Sequence, residues 1–189
     1  MTARISHLLN GLRVATREMP QATTVSIGIW VNAGARDETV KEQGIAHMLE
    51  HMAFKGTKRR DAQAIATEVE NVGGFMNAHT SREETAYYLR LLPEHIDLGI
   101  DILTDILTQS TLPDVEIERE RGVIIQEIGQ SLDTPDDLVF DLFSKACYAN
   151  HNLGRPILGT VDSVSNFQRA DLSEFMNRFY GAGQMLVVA

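Results

Sequence analysis

The pattern of apolar and polar positions changes its period several times along the chain. From Val25 to Val31 apolar residues alternate with polar ones, which predicts a strand with one buried face. Near the start, Asn10-Gly11 separates two short apolar runs and predicts a hairpin with a tight two-residue turn. Further strands are predicted at residues 75–80, 85–91 and 185–189.

Other segments have the spacing of amphipathic helices. Apolar residues recur at helical intervals over residues 42–54 and again over 61–72, where Gly73-Gly74 ends the pattern. Pro93 and Pro113 can each stand in the first turn of a helix. Two more helices are predicted at residues 135–148 and 171–180. Because strands and helices are mixed without strict βαβ alternation, the sequence predicts an α+β fold.

Composition limits the kinds of protein this can be. The chain has 189 residues, 43% of them apolar, which is enough for one ordinary core. Its net charge of −9 disfavours binding to nucleic acid or to anionic membranes. The sequence has neither an apolar run long enough for a membrane helix nor a visible signal peptide, so a cytoplasmic location is expected. The single Cys147 cannot form an internal disulfide and is expected to be a small buried residue.

The first long helix carries the sequence His47-Met48-Leu49-Glu50-His51. At about 100° per residue, His47 and His51 lie one turn apart on one face, where both imidazoles can bind one ion. Glu50 is near enough to contact a water on that ion. This H-x-x-E-H pattern is a zinc peptidase motif. The alternative is a surface helix with two solvated histidines, but the apolar residues beside them favour a packed helix.

A catalytic zinc needs a third protein ligand, and the helix after Pro113 offers several carboxylates. Glu120 and Glu127 are seven positions apart and share one stripe of that helix. Glu127 follows an apolar run, so a carboxylate there should have a partner. Glu120 could instead pair with the neighbouring Arg119 or Arg121. Glu116 and Glu118 are expected to be solvated.

These residues resemble the zinc pattern of the pitrilysin/insulinase family of inverzincin metallopeptidases, especially its processing peptidases. The similarity extends through residues 10–14, 31–34 and 153–160 and covers essentially the whole chain. The resemblance implies a mixed, mainly antiparallel sheet covered by helices. It also implies that zinc is bound by His47, His51 and Glu127, that Glu50 is the general base toward a water activated by the zinc, and that Glu120 orients a ligand.

The resemblance also implies contacts to a peptide substrate. Asn77 and Ala78 match an edge strand to which the substrate adds as a further strand. Phe54 matches a residue lining the pocket after the scissile bond, although it could be ordinary core. Asp137 and Asp141 match acidic positions that receive an arginine upstream of the cut, and the alternative is a solvated acidic face. The expected substrate is therefore an extended, basic peptide.

The family's working unit is longer than this chain. By resemblance, residues 1–189 are the N-terminal catalytic domain of a longer peptidase, cut near residue 189 so that the last strand is incomplete. A later half, or a partner subunit in a dimer, would supply an Arg and a Tyr that stabilise the reaction intermediate. Two other functions remain open: a non-catalytic peptide-binding or structural subunit of the same fold, and a helical di-iron protein, which would need Glu-x-x-His pairs on two helices.

Overall fold

A single mixed sheet of six strands organises the chain. The computed structural model describes residues 2–189. In the sheet, β2 and β6 are parallel, and every other neighbouring pair is antiparallel. The predicted mixed, mainly antiparallel sheet is therefore confirmed. The order is β1-β2-β6-β3-β5-β4, with bounds β1 Arg4–His7, β2 Arg13–Thr16, β3 Val25–Val31, β4 Phe75–Thr80, β5 Thr85–Leu91 and β6 Met185–Val188.

Seven α-helices accompany the sheet within residues 2–189. The first three contact strands β3, β4 and β5, and α4 packs against α1. This layering of helices on a sheet confirms the α+β prediction. The helices are α1 Ile45–Met52, α2 Ala62–Glu70, α3 Ile96–Thr108, α4 Asp114–Asp133, α5 Pro135–Cys147, α6 Val161–Asn166 and α7 Arg169–Phe179.

Helix α1 is the most deeply buried of the elements that carry candidate site residues. Ile45, Met48 and Met52 are fully buried, and α4 contributes Ile117 and Ile124 to the same core. A helix packed on two sides keeps its remaining side chains in fixed positions, because shifting it would open cavities in the core. Side chains on α1 and α4 that face one another therefore have a defined separation.

The structure corrects several sequence predictions. Helix α1 begins at Ile45 rather than residue 42, because Gly44 has a left-handed φ of 90° and interrupts the chain after a short 3-10 turn at 40–42. The first hairpin has a loop over residues 8–12 rather than a two-residue turn, since His7 pairs with Arg13. Helix α6 was not predicted at all, and Cys147 is exposed rather than buried.

In residues 2–189, none of the helices is both long enough and apolar enough to cross a membrane.

Candidate metal centre

The start of α1 is fixed by a buried carboxylate. The two carboxyl oxygens of Glu38 accept hydrogen bonds from the backbone N–H groups of Gly44, at 2.9 Å, and Ala46, at 3.0 Å. Burial raises the pKa of Glu38 to about 8, against the effect of these two donors. Glu38 thus satisfies backbone donors at the N-terminus of the helix that carries both histidines.

His47, His51 and Glu127 converge on one point between α1 and α4. The Nε2 atoms of His47 and His51 each lie 3.7 Å from Oε2 of Glu127. One ligand atom from each residue lies within 4.8 Å of the others. The structure therefore brings together the three residues that the sequence analysis predicted as metal ligands.

The donor set fits a zinc ion. Atoms bound at about 2.0–2.2 Å to one tetrahedral zinc are roughly 3.3–3.6 Å apart, close to the separations between these imidazoles and the carboxylate. Burial, together with the nearby His51, lowers the pKa of His47 to about 4, so its imidazole is neutral at pH 7 and able to coordinate. Nδ1 of His47 is buried and has no hydrogen-bond partner in the part of the chain that the structure describes.

Glu120 forms a hydrogen bond with one of the two histidines. Its Oε2 lies 2.8 Å from Nδ1 of His51, and its Oε1 lies 2.7 Å from Nζ of Lys55. Burial opposes ionisation of Glu120, but the hydrogen bonds from Lys55 and His51 outweigh it and lower the pKa of this carboxyl. An ionised Glu120 accepts the Nδ1 proton of His51, which leaves Nε2 free to face Glu127.

The alternative pairing of Glu120 with its arginine neighbours is wrong. Arg119 pairs with Glu116, and Arg121 pairs with Glu118. Each of these ion pairs joins residues about one helical turn apart on α4, and Glu120 contacts His51 and Lys55 instead. Glu118 is exposed, as expected, whereas Glu116 is partly covered.

Glu50 lies at the opening of the site, and its carboxylate accepts a hydrogen bond from the edge strand of the sheet. Oγ1 of Thr80, the last residue of β4, donates a hydrogen bond of 2.6 Å to Oε2 of Glu50. A cleft of about 400 Å³ runs past this pair and is lined by His47, Glu50 and, from α5, by Asp137 and Asp141. The candidate general base and both candidate acidic contacts therefore border the same space.

The remaining predicted contact residues lie in different environments. Strand β4 is at one edge of the sheet, and on it Asn77 is exposed while Ala78 is buried. Phe54 is half-buried and packs against the core, with its ring centroid 6.4 Å from that of Tyr87. Its contact with the core is therefore observed, and its role as a pocket residue stays a prediction.

Three residues that contact the site were not found from the sequence: Lys55, Thr80 and Arg82. Lys55 stands one turn beyond His51 on the same side, which is the one local signal that could have identified it. Thr80 and Arg82 reach Glu50 and Asp141 only through pairing of the sheet and packing of the helices. No sequence spacing connects positions so far apart in the chain.

The chain is similar to a processing peptidase subunit and to a bacterial zinc protease over almost its entire length. It is 45% identical over 184 residues to the mitochondrial-processing peptidase subunit beta of Saccharomyces cerevisiae, covering 97% of this chain and 40% of that protein. It is 41% identical over 178 residues to an uncharacterized zinc protease, YmxG, of Bacillus subtilis, covering 94% of this chain and 44% of that protein. The chain thus spans less than half the length of these relatives.

Solved structures share the fold. A protease from Helicobacter pylori superimposes with a TM-score of 0.94 at 25% identity, over 99% of this chain and 45% of that one. A peptidase M16 inactive domain from Pseudomonas fluorescens has a TM-score of 0.92 at 18% identity, over 100% of this chain and 46% of that one, which shows the fold alone. The family model described as Insulinase (Peptidase family M16) matches residues 13–161. This chain therefore belongs to the insulinase family of peptidases, family M16.

Proposed function

We propose that this chain is the zinc-binding catalytic domain of a metalloendopeptidase that hydrolyses extended, basic peptides. The observation that carries the proposal is the convergence of His47, His51 and Glu127 beside a fourth residue, Glu50, on an open cleft. Three protein ligands with one open position are typical of catalytic zinc, whereas structural zinc sites have four protein ligands. The names of the curated relatives, which include zinc proteases, support the same metal.

In this proposal His47, His51 and Glu127 hold the zinc ion. The bound ion supplies Lewis acidity, which polarises the scissile carbonyl and makes water a better nucleophile near neutral pH. Glu120 fixes the ring of His51, and Lys55 keeps Glu120 ionised by donating to its second oxygen. Glu120 therefore acts through His51, as a positioning residue.

Glu50 moves the proton. As the water oxygen attacks the carbonyl carbon, one oxygen of Glu50 accepts a proton from the water, and Glu50 then gives that proton to the amide nitrogen as the C–N bond breaks. The hydrogen bond from Thr80 occupies Oε2 and leaves Oε1 available for this transfer. Thr80 therefore positions the base without needing to touch the reacting atoms.

The substrate is proposed to bind along the exposed edge of β4. Main-chain hydrogen bonds to an added strand give affinity without sequence preference, so preference must come from side chains that line the cleft. The carboxylates of Asp137 and Asp141 lie there, and the chain as a whole is acidic. Both features favour peptides with basic side chains.

We further propose that residues 1–189 form the N-terminal catalytic domain of a longer enzyme that works with a second half or a partner subunit. The relative from Saccharomyces cerevisiae is itself named as a subunit, and the chain covers 40% of it. The open cleft beside Glu50 is consistent with closure by further protein.

The first experiment measures metal content and peptide cleavage in the full-length protein that contains this chain. We expect one zinc per chain and cleavage of a basic peptide. The variant Glu50→Gln should keep its zinc and lose about 10²- to 10⁴-fold in turnover, the usual contribution of a general base. Loss of zinc in the same variant would contradict the role given to Glu50. Two irons per chain would favour a di-iron protein, and a protein that binds peptide without metal would be a binding subunit.

A second experiment tests whether the domain is sufficient. The isolated 1–189 chain should bind zinc, because all three ligands lie within it, and should cleave peptides weakly or not at all. Rapid cleavage of a basic peptide by the isolated chain would refute the requirement for a further half or subunit.

A further inference from the structure

One of the two aspartates that line the cleft already has a basic partner from this chain. Nη2 of Arg82 lies 3.0 Å from Oδ1 of Asp141. Within residues 2–189, Asp137 forms no ion pair, and its carboxylate accepts no hydrogen bond. The two aspartates are one helical turn apart on α5, yet only one of them carries an uncompensated charge.

Arg82 is held firmly in its position. It lies in the turn between β4 and β5, where its backbone oxygen accepts a 2.8 Å hydrogen bond from Arg36 N–H, and its Nε donates to the backbone oxygen of Leu153 at 3.1 Å. A Cβ on Gly34 would approach the backbone of this turn at 2.5–2.8 Å, so the turn is packed closely against its neighbour. The guanidinium is therefore preorganised, and its contact with Asp141 involves little loss of side-chain entropy.

The position of Asp141 makes this contact relevant to ligands. Its side chain is 35% exposed and lines the same cleft as Glu50 and His47. A peptide side chain entering the cleft therefore approaches an aspartate whose charge is balanced by Arg82, and a second aspartate, Asp137, whose charge is not.

We infer that Arg82 is a specificity-determining residue of the cleft: it neutralises Asp141 and leaves Asp137 as the carboxylate that attracts a basic side chain of the peptide. This inference rests on the proposed peptidase function. The preference for an arginine in the peptide is then weaker than it would be with two uncompensated carboxylates. Removing the positive charge of Arg82 should therefore strengthen that preference.

The test compares binding of two peptides that differ only in charge. One contains arginine two positions before the scissile bond, and the other contains citrulline, which has nearly the same shape and no charge. Affinities are measured by fluorescence anisotropy with the zinc-loaded, full-length protein carrying Glu50→Gln, so that the peptides are not cleaved. The quantity of interest is the ratio of the citrulline Kd to the arginine Kd.

The inference predicts a different Kd ratio for each variant of the Arg82–Asp141 pair. Arg82→Gln should raise the ratio about three- to fivefold, the range expected for one partly exposed charge. Asp141→Asn should lower the ratio, because it leaves Arg82 without its partner. The double variant, with Arg82→Gln and Asp141→Asn, should return to the ratio of the parent protein. The pair has no net charge before or after the double substitution. Arg82→Lys should also keep the parent ratio.

Two controls separate local from general charge effects. Arg119→Gln changes the net charge equally on an exposed part of α4, and Asp136→Asn removes a carboxylate from α5 that does not line the cleft. Neither should move the ratio. Thermal unfolding of each variant shows whether it is folded, and if Arg82→Gln does not fold, the opposite shift expected for Asp141→Asn still tests the inference.

The outcomes distinguish the inference from the function on which it rests. If Arg82 serves only to hold α5 in place, the single and double variants will weaken both peptides equally and leave the ratio unchanged, which would overturn the inference. If the protein with Glu50 intact binds zinc and cleaves peptides while the ratio does not respond to the substitutions at Arg82 and Asp141, the proposed function survives and the role of Arg82 fails. If the protein binds neither zinc nor peptide, both fail together.

Discussion

The two sides of the cleft are built in different ways. On one side, α1 and α4 hold the candidate ligands between buried side chains such as Met48 and Ile124. On the other side, α5 carries the two aspartates, and none of its residues, 135–147, is buried. Apolar side chains on α5, including Phe140 and Phe143, are exposed instead. The metal geometry is thus set by core packing, whereas the acidic contacts depend on a helix that has no buried residue.

This difference matches what each side must do. Metal coordination requires positions defined to within a few tenths of an ångström, which a close-packed core can supply. Recognition of a peptide side chain by charge tolerates larger displacements, because Coulomb attraction falls off slowly with distance. We therefore expect changes on the α1–α4 side to alter stability and metal affinity, and changes on α5 to alter ligand preference.

The largest expected effect is on stability, and it contrasts the two sides directly. Ile124→Ala removes a fully buried side chain from α4 and should lower the free energy of unfolding by about 2–5 kcal/mol. Val139→Ala, at a position 54% exposed on α5, should change it by less than about 0.5 kcal/mol. Denaturant unfolding of the metal-free protein measures both, and equal effects would show that Val139 on α5 is packed as tightly as Ile124 on α4.

The second-largest expected effect is on the affinity for zinc. Glu120→Gln removes the carboxylate that accepts from His51 and should reduce zinc affinity about 10- to 100-fold, as loss of such outer partners typically does. Asp137→Asn removes a carboxylate from the opposite side and should leave zinc affinity unchanged. Competition with a chromogenic chelator measures both variants, and a comparable loss in Asp137→Asn would mean that α5 contributes to the metal centre.

The smallest effect concerns the position of the base. Thr80→Val keeps the shape of the side chain but removes the hydrogen bond to Glu50, and it should lower kcat about 3- to 10-fold, the value of one net hydrogen bond. KM and zinc content should not change. Thr80→Ser retains the hydroxyl and should recover most of the rate. If Val and Ser variants behave alike, Thr80 has a packing role and does not position Glu50.

Much of the metal centre could be predicted because its information is local. His47 and His51 share a face by helical periodicity, and the spacing of Glu120 and Glu127 does the same on α4. The strands predicted at 75–80 and 85–91 also agree with the observed bounds, since a short run of strand-forming residues is a local property. Boundaries set by single backbone conformations, such as the start of α1 after Gly44, were harder to predict.

Contacts between distant segments could not be predicted in this way. Lys55 and Arg82 are ordinary surface-type residues in the sequence and lie outside the helices, whereas their partners Glu120 and Asp141 lie on α4 and α5. Likewise, helical spacing on α5 predicts an apolar stripe but does not reveal that the stripe is exposed. Burial depends on what packs against a helix, which a local pattern does not contain.

The sequence by itself therefore determined the α+β class and the placing of His47 and His51 on one helix face, because these follow from short-range spacing and residue chemistry. The family, and with it the choice of Glu127 as third candidate ligand, came from resemblance over the whole chain. Only the tertiary structure decided which carboxylates are compensated: Glu120 by Lys55 and His51, Asp141 by Arg82, and Asp137 by no residue among those described. The physical reason is that the charge a ligand meets depends on neighbours within a few ångströms, and in a folded chain those neighbours come from distant positions.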